Sequence, residues 1–322
     1  MSEKYNPFDS MTFTYDRCFL CGELLDEKNS SEEHVFPKWL QHKFNLWEQE
    51  LTLLNRTNIK YKLLKIPCCK KCNNEYLSGK LEKKIKDAVD GGYEEFIKLD
   101  EKIIFQWLLK LSYGMLFKEL SLNIDLRNPN NGKIITPELL KQFDTTYSLL
   151  QTVRFDTEFI RNPWSILIFK VKPEVENMYN VNDFITQNCY FIRMNDIGIV
   201  ANLQDGGYQK EFFMEHMEEF LNMELAEIQF SEICAKFLYK SSLYVKSPYF
   251  MFMFPNKEGE KCIIITHSMN GNVFREWSQK EYAKYLEFFL HPWNIRINKI
   301  YFSDDKVITY LYNDDGLIKK MV

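Results

Sequence analysis

The chain has 322 residues, 45% hydrophobic and 16% aromatic, with 41 basic and 45 acidic side chains and a formal net charge of −4. That apolar content excludes a disordered chain, and the longest apolar run, Tyr249-Phe250-Met251-Phe252-Met253-Phe254, is far too short to span a bilayer. The opening MSEKYNPFDS lacks a basic stretch leading into an apolar one, so no signal peptide and a cytoplasmic location are expected.

In chain order, Thr12-Phe13-Thr14-Tyr15 predicts a strand, followed by hairpin and loop structure through Leu64. A helix is predicted over residues 73 to 89, stopped by Asp90-Gly91-Gly92. Residues 101 to 120 read as an amphipathic helix, because Ile103, Ile104, Trp107, Leu108, Leu111, Met115 and Leu116 recur at helical spacing. Asn128-Pro129-Asn130-Asn131-Gly132 is a loop, and Thr136-Pro137-Glu138 opens another helix with Pro at its first position. Strands follow over 164–171, 189–193, 198–202, 249–254 and 261–266, with helices over 209–222 and 278–290. The expected fold class is α+β, in three parts. Residues 1–90 form a metal-bound module, 91–160 a helical segment, and 161–322 an α+β domain on a mostly antiparallel sheet.

The chemistry concentrates in the first part. Cys18-Phe-Leu-Cys21 and Cys69-Lys-Lys-Cys72 bracket the segment Glu33-His34-Val35-Phe36-Pro37-Lys38-Trp39-Leu40. Two C-x2-C pairs can deliver four thiolates to one tetrahedral Zn²⁺, and such closure makes a small segment rigid. Cys68 beside Cys69 leaves the register open by one residue; the C-x2-C spacing favours Cys69, with Cys68 a small buried hydrophobe. The four remaining cysteines, Cys68, Cys189, Cys234 and Cys262, are scattered, as in a reducing compartment. His34 can accept a proton from water near neutrality. Glu33 and Asn73 supply the hard oxygens that Mg²⁺ or Mn²⁺ accepts, and one such ion would neutralise phosphate charge. Glu82 lies nine positions after Asn73, which on an α-helix is about two and a half turns, so it is expected on the opposite side.

This order of motifs resembles the HNH endonucleases, whose fold is the ββα-metal module. The resemblance covers roughly residues 16 to 86, including EHVFPKWL and CKKCNNEYLSGKLE. It implies His34 as general base, Glu33 and Asn73 as ligands of a catalytic divalent ion, and Cys18, Cys21, Cys69 and Cys72 as ligands of structural zinc. The family's middle asparagine is missing where Leu64-Lys65-Ile66-Pro67 stands, with Asn55 or Asn58 as replacements from the preceding segment. The third motif residue is Asn rather than His, a variant found in active members. Many long proteins of this layout belong to bacterial defence or mobile-element systems, which the resemblance extends to this chain as an expectation.

Residues 60 to 86 carry nine lysines against Glu75 and Glu82. Of these, Lys70, Lys71, Lys80, Lys83 and Lys84 are the expected phosphate contacts. DNA is the expected partner, ahead of RNA, with the C-terminal part serving a homodimer or a partner protein. The competing reading is a zinc-stabilised module that binds nucleic acid or protein without catalysis, which explains the cysteines and lysines but gives Glu33, His34 and Asn73 no task.

Overall fold

The computed structural model describes residues 14–255, 260–303 and 306–320. The start of the strand predicted at Thr12 lies outside them, and Tyr15 falls in a turn. The chain is α+β and forms two compact units. Unit 1 comprises Met1–Asp90, Lys98–Ile160 and Phe250–Ile265; unit 2 comprises Gly91–Ile97, Arg161–Tyr249 and Thr266–Val322.

Unit 1 begins with β1 (Ser30–His34), α1 (Lys38–Lys43) and a small antiparallel hairpin of β2 (Glu50–Thr52) and β3 (Asn58–Lys60). β4 (Lys65–Cys69) then returns antiparallel to β1, pairing Ser30 with Cys69 and His34 with Lys65. Pro67 is tolerated within β4 because the sheet has only two strands, and its carbonyl accepts a bond from Phe19 N at 3.0 Å. A π-helix over Cys72–Glu82 continues into α2 (Lys83–Asp90). The predicted helix is present, but its first part is wound with i→i+5 bonds rather than as an α-helix. Gly79 suits that winding, since an added Cβ would sit 2.8 Å from the Asn74 carbonyl oxygen.

α3 (Glu101–Glu119) is the central pillar of unit 1. The sequence reads as amphipathic, yet every residue from Ile104 to Phe117 is buried, including Gln106, Lys110 and Ser112. It approaches the β1–β4 pair closely at Gly114, where a Cβ would meet Val35 Cγ1 at 3.2 Å and Ile66 Cδ1 at 3.4 Å. That contact offsets the cost of about 1 kcal/mol for glycine inside a helix. α4 (Asp144–Leu150) packs against α3 and reaches the first cysteine turn, with Tyr147 OH and Gln151 Nε2 both donating to Leu20 O. β5 (Thr157–Ile160) closes this stretch.

Unit 2 is built on a five-stranded sheet in the order β10-β6-β9-β8-β7. Its strands are β6 (Ser165–Val171), β7 (Tyr179–Phe184), β8 (Cys189–Met194), β9 (Ile197–Asn202) and β10 (Glu224–Leu225). The pairs among β6 to β9 are antiparallel, and β10 joins β6 in parallel. Beside it stand α5 (Tyr208–His216), α6 (Glu227–Ser242) and α7 (Gln279–Leu290). The helix expected over 209–222 breaks at Met217, whose φ of −148° is not helical, and resumes as a 3₁₀ turn. β7 and α6 have no counterpart in the sequence reading. Back in unit 1, the later strands β11 (Tyr249–Met253) and β12 (Cys262–His267) join β5 in a three-stranded sheet, with Cys262–Ile265 of β12 parallel to β5. Among the described residues no helix is long and apolar enough to cross a membrane.

Candidate metal centre and adjoining His34 site

Cys18, Cys21, Cys69 and Cys72 are brought together, all buried, with their Sγ atoms within 4.8 Å of one another. Cys21 Sγ and Cys69 Sγ are 3.8 Å apart, about the tetrahedral edge expected from Zn–S bonds of about 2.3 Å. The first pair sits in a tight turn closed by Cys18 N to Glu23 O and Gly22 N to Cys18 O. The second spans the end of β4 and the start of the π-helix, with Cys72 N donating to Cys69 Sγ at 3.4 Å. Such a cluster of soft thiols could hold a metal such as zinc. Cys68 is buried beside it, 3.8 Å from Cys18 Sγ, but is not one of the four.

His34 ends β1 and is 9% exposed, with the Trp47 ring stacked near it at 6.2 Å between centroids. Its Nε2 is buried and has no hydrogen-bond partner. Burial, aided by the positive charges of Lys38, Lys65 and Lys110, lowers the imidazole pKa to about 4. The ring is therefore neutral at pH 7, and its Nε2 keeps an unused hydrogen-bonding position that is closed to solvent as it stands. We expect NMR titration of the zinc-loaded protein, without added Mg²⁺ or Mn²⁺, to find the His34 ring unprotonated at pH 6, where an ordinary histidine with pKa about 6.5 is mostly charged. A midpoint above pH 6 contradicts this electrostatic reading. Its linkage sign is set: the unfolded state binds more protons between about 4 and the ordinary value, so this group lowers stability as pH falls through that window.

Alternation along β1 sends Glu33 to the other face, away from Glu32, which is exposed and paired with Lys65 at 3.1 Å. Glu33 is buried against Lys110 of α3, at 2.6 Å. The same ammonium pairs with Glu82 at 2.9 Å and donates to the carbonyls of His34 at 2.6 Å and Val35 at 2.8 Å. Lys110 has three protons for these four acceptors, and two carboxylates surround one cation. Burial pushes the Glu33 carboxyl up to about 8, against the pull of Lys110, with Glu82 adding repulsion.

Asn73 lies in the first turn of the π-helix and ties it to β1. Its Nδ2 donates to Ser31 Oγ and to the Glu32 carbonyl, each at 3.1 Å, while Oδ1 accepts from Ser78 Oγ at 3.2 Å. The i→i+5 winding changes the expectation for Glu82, because nine positions fall near roughly two turns of a π-helix. Glu82 indeed shares Lys110 with Glu33. Asn55 and Asn58 are engaged in the β2–β3 hairpin, Asn55 capping Thr57 and Asn58 accepting from Thr52. Asn55 Nδ2 also bonds Ile124 O.

Of the expected phosphate contacts, Lys70, Lys71, Lys80, Lys83 and Lys84 are all exposed. Lys70 donates to Lys28 O, and Lys80 lies over the Tyr76 ring. Lys110 and Trp47 escaped the sequence reading. An isolated lysine in a helix carries no signal of burial, although its apolar neighbours on every side of α3 could have given one. Comparison of the chain with protein-family models, with curated proteins and with solved structures found no match.

Proposed function

We propose that the chain is a metal-dependent endonuclease that hydrolyses phosphodiester bonds in DNA, with His34 as general base. The observation that carries this reading is the neutral His34 imidazole at the end of β1, whose Nε2 has no hydrogen-bond partner and would act once substrate binding opens it to water. The succession of β1, antiparallel β4 and helix, with cysteine pairs at its joints, supports placing residues 16–86 with the HNH endonucleases. Cys18, Cys21, Cys69 and Cys72 would hold structural zinc.

Asn73 Oδ1 keeps a lone pair beyond its bond from Ser78, so it fits as an oxygen ligand for Mg²⁺ or Mn²⁺. Glu33 fits only after exchanging Lys110 for the ion. When bound, that ion would neutralise phosphate charge and the developing charge on the leaving oxygen. The chain's own residues then do the rest. His34 takes a proton from the attacking water, Lys110 holds the His34 carbonyl in place, and Asn73 fixes the helix to β1. Defence or mobile-element biology belongs to the same proposal through the resemblance alone.

Supercoiled plasmid incubated with the purified protein and Mg²⁺ or Mn²⁺ should be nicked, and chelation should stop the reaction. Structured RNA cut in preference to plasmid would move the substrate to RNA. A second reading is favoured by the Glu33–Lys110–Glu82 cluster, which gives Glu33 a structural task. In that reading the module binds nucleic acid or protein without catalysis, and plasmid would be bound but left intact under every ion.

A further inference from the structure

We infer that a recess beside His34 receives an unpaired nucleotide strand, so that the substrate enters this site single-stranded rather than as a closed duplex; this rests on the endonuclease reading above. The recess, about 520 Å³, runs over the β1–β4 pair within unit 1. Its lining includes Tyr15, Trp47, Lys62, Lys65 and Lys118, with Glu32 as the one carboxylate among the described residues that line it.

Two features set its chemistry. The first is cationic: three lysines converge on one concavity, and Lys118 makes no ion pair with a carboxylate among the described residues. Lys118 instead donates to Tyr15 OH at 3.4 Å and lies 5.7 Å from the centre of that ring. Burial holds its ammonium below the usual lysine range, so a phosphate oxygen would be a favourable new partner. Lys62 and Lys65 are half-buried lysines paired with the exposed carboxylates of Glu48 and Glu32, pairs that an incoming phosphate can displace at little cost.

The second feature is aromatic. Tyr15 is 37% exposed and is held from behind by Phe117, with ring centroids 5.9 Å apart. Trp47 is half-buried and lines the recess, with the His42 ring stacked at 4.9 Å and the His34 ring at 6.2 Å, so the ring is held in place by its neighbours. Cations that follow a backbone together with aromatic faces for bases are the recognition chemistry of single strands. A duplex keeps its bases stacked inside and cannot use those faces. A recess of this volume admits a nucleotide or two, in the range of small-molecule sites, but not a double helix. The exposed lysines of the π-helix and α2 have no such aromatic partners on the recess and suit either form of nucleic acid.

The test is binding by the full-length protein without added divalent ion, so that no cleavage interferes. Fluorescence anisotropy would compare a labelled DNA strand of about 12 nucleotides, its blunt duplex and the matching RNA strand. The single strand should bind about tenfold or more tighter than the duplex. Lys118→Gln and Trp47→Leu should each weaken single-strand binding about fivefold or more and leave duplex binding nearly unchanged. Lys83→Ala should weaken both forms alike. Bound metal and melting temperature, measured on each variant, identify any that fails to fold, and Tyr15→Leu then replaces it. RNA binding above DNA, with the same sensitivity to Lys118 and Trp47, upholds the recess and names RNA as the strand. Equal or tighter duplex binding, or single-strand binding untouched by folded variants of the recess, overturns the inference. Strand binding as expected with no cutting under any ion leaves the recess standing and removes the endonuclease reading instead.

Discussion

Cys69→Ser should strip bound zinc from the protein and melt the β1–β4 pair, whereas Cys68→Ser should keep the metal. Cys69 ends β4, accepts the Cys72 N–H, and stands 3.8 Å from Cys21 Sγ, so its loss opens both cysteine pairs. Structural zinc contributes about 10–16 kcal/mol of binding free energy in small modules, comparable to the whole stability of a domain at about 5–15 kcal/mol. β1 offers little apolar surface of its own, being Ser-Ser-Glu-Glu-His, and is held by β4 and by the turns the metal would fix. Metal analysis with far-ultraviolet circular dichroism reads both effects. Zinc retained by Cys69→Ser but lost from Cys68→Ser would show that the neighbouring thiol is the ligand.

Lys110→Met should destabilise unit 1 by about 3–5 kcal/mol, the usual effect of removing one partner from a buried ion pair. Lys110 is fully buried and is the cation facing both Glu33 and Glu82, which are 4% and 9% exposed. Without it two carboxyls meet in the interior, and the His34 and Val35 carbonyls lose a donor. Methionine keeps most of the volume, so the loss reports charge and hydrogen bonding rather than a cavity. Adding Glu33→Gln and Glu82→Gln to Lys110→Met should recover much of the stability, because the uncompensated charge is then gone. Chemical denaturation measures all three proteins; a Lys110→Met midpoint within error of wild type contradicts the buried cluster.

The cysteine tetrad was legible because ligand spacing is a local property, and two C-x2-C pairs need no knowledge of the core to be paired. The length of α3 was legible from its apolar spacing, but its burial on every side was not. Gln106, Lys110 and Ser112 are polar letters whose partners lie in distant parts of the chain. The same limit applies at Glu33: sequence places it beside His34, while strand alternation turns it toward α3. α6 was missed although Phe230, Ile233, Cys234, Phe237 and Leu238 lie at helical spacing, because Ala226 at its start is not one of the usual capping residues. β7, Tyr-Asn-Val-Asn-Asp-Phe, is a polar edge strand defined by its bonds to β8 rather than by an apolar pattern. Residues 72–82 wind as a π-helix, so α-helical pitch does not place Glu82 relative to Asn73.

The most direct measurement is single-turnover cleavage of a defined DNA by His34→Ala against wild type, at saturating Mg²⁺ or Mn²⁺, with zinc content and DNA affinity measured on the same samples. His34→Ala should lose at least about 10²–10⁴-fold in rate, the usual worth of a positioned general base, while zinc and DNA binding stay near wild type. A His34→Ala protein that cuts as fast as wild type, free of contaminating nuclease, contradicts His34 as the base; loss of its zinc would make His34 a structural residue instead.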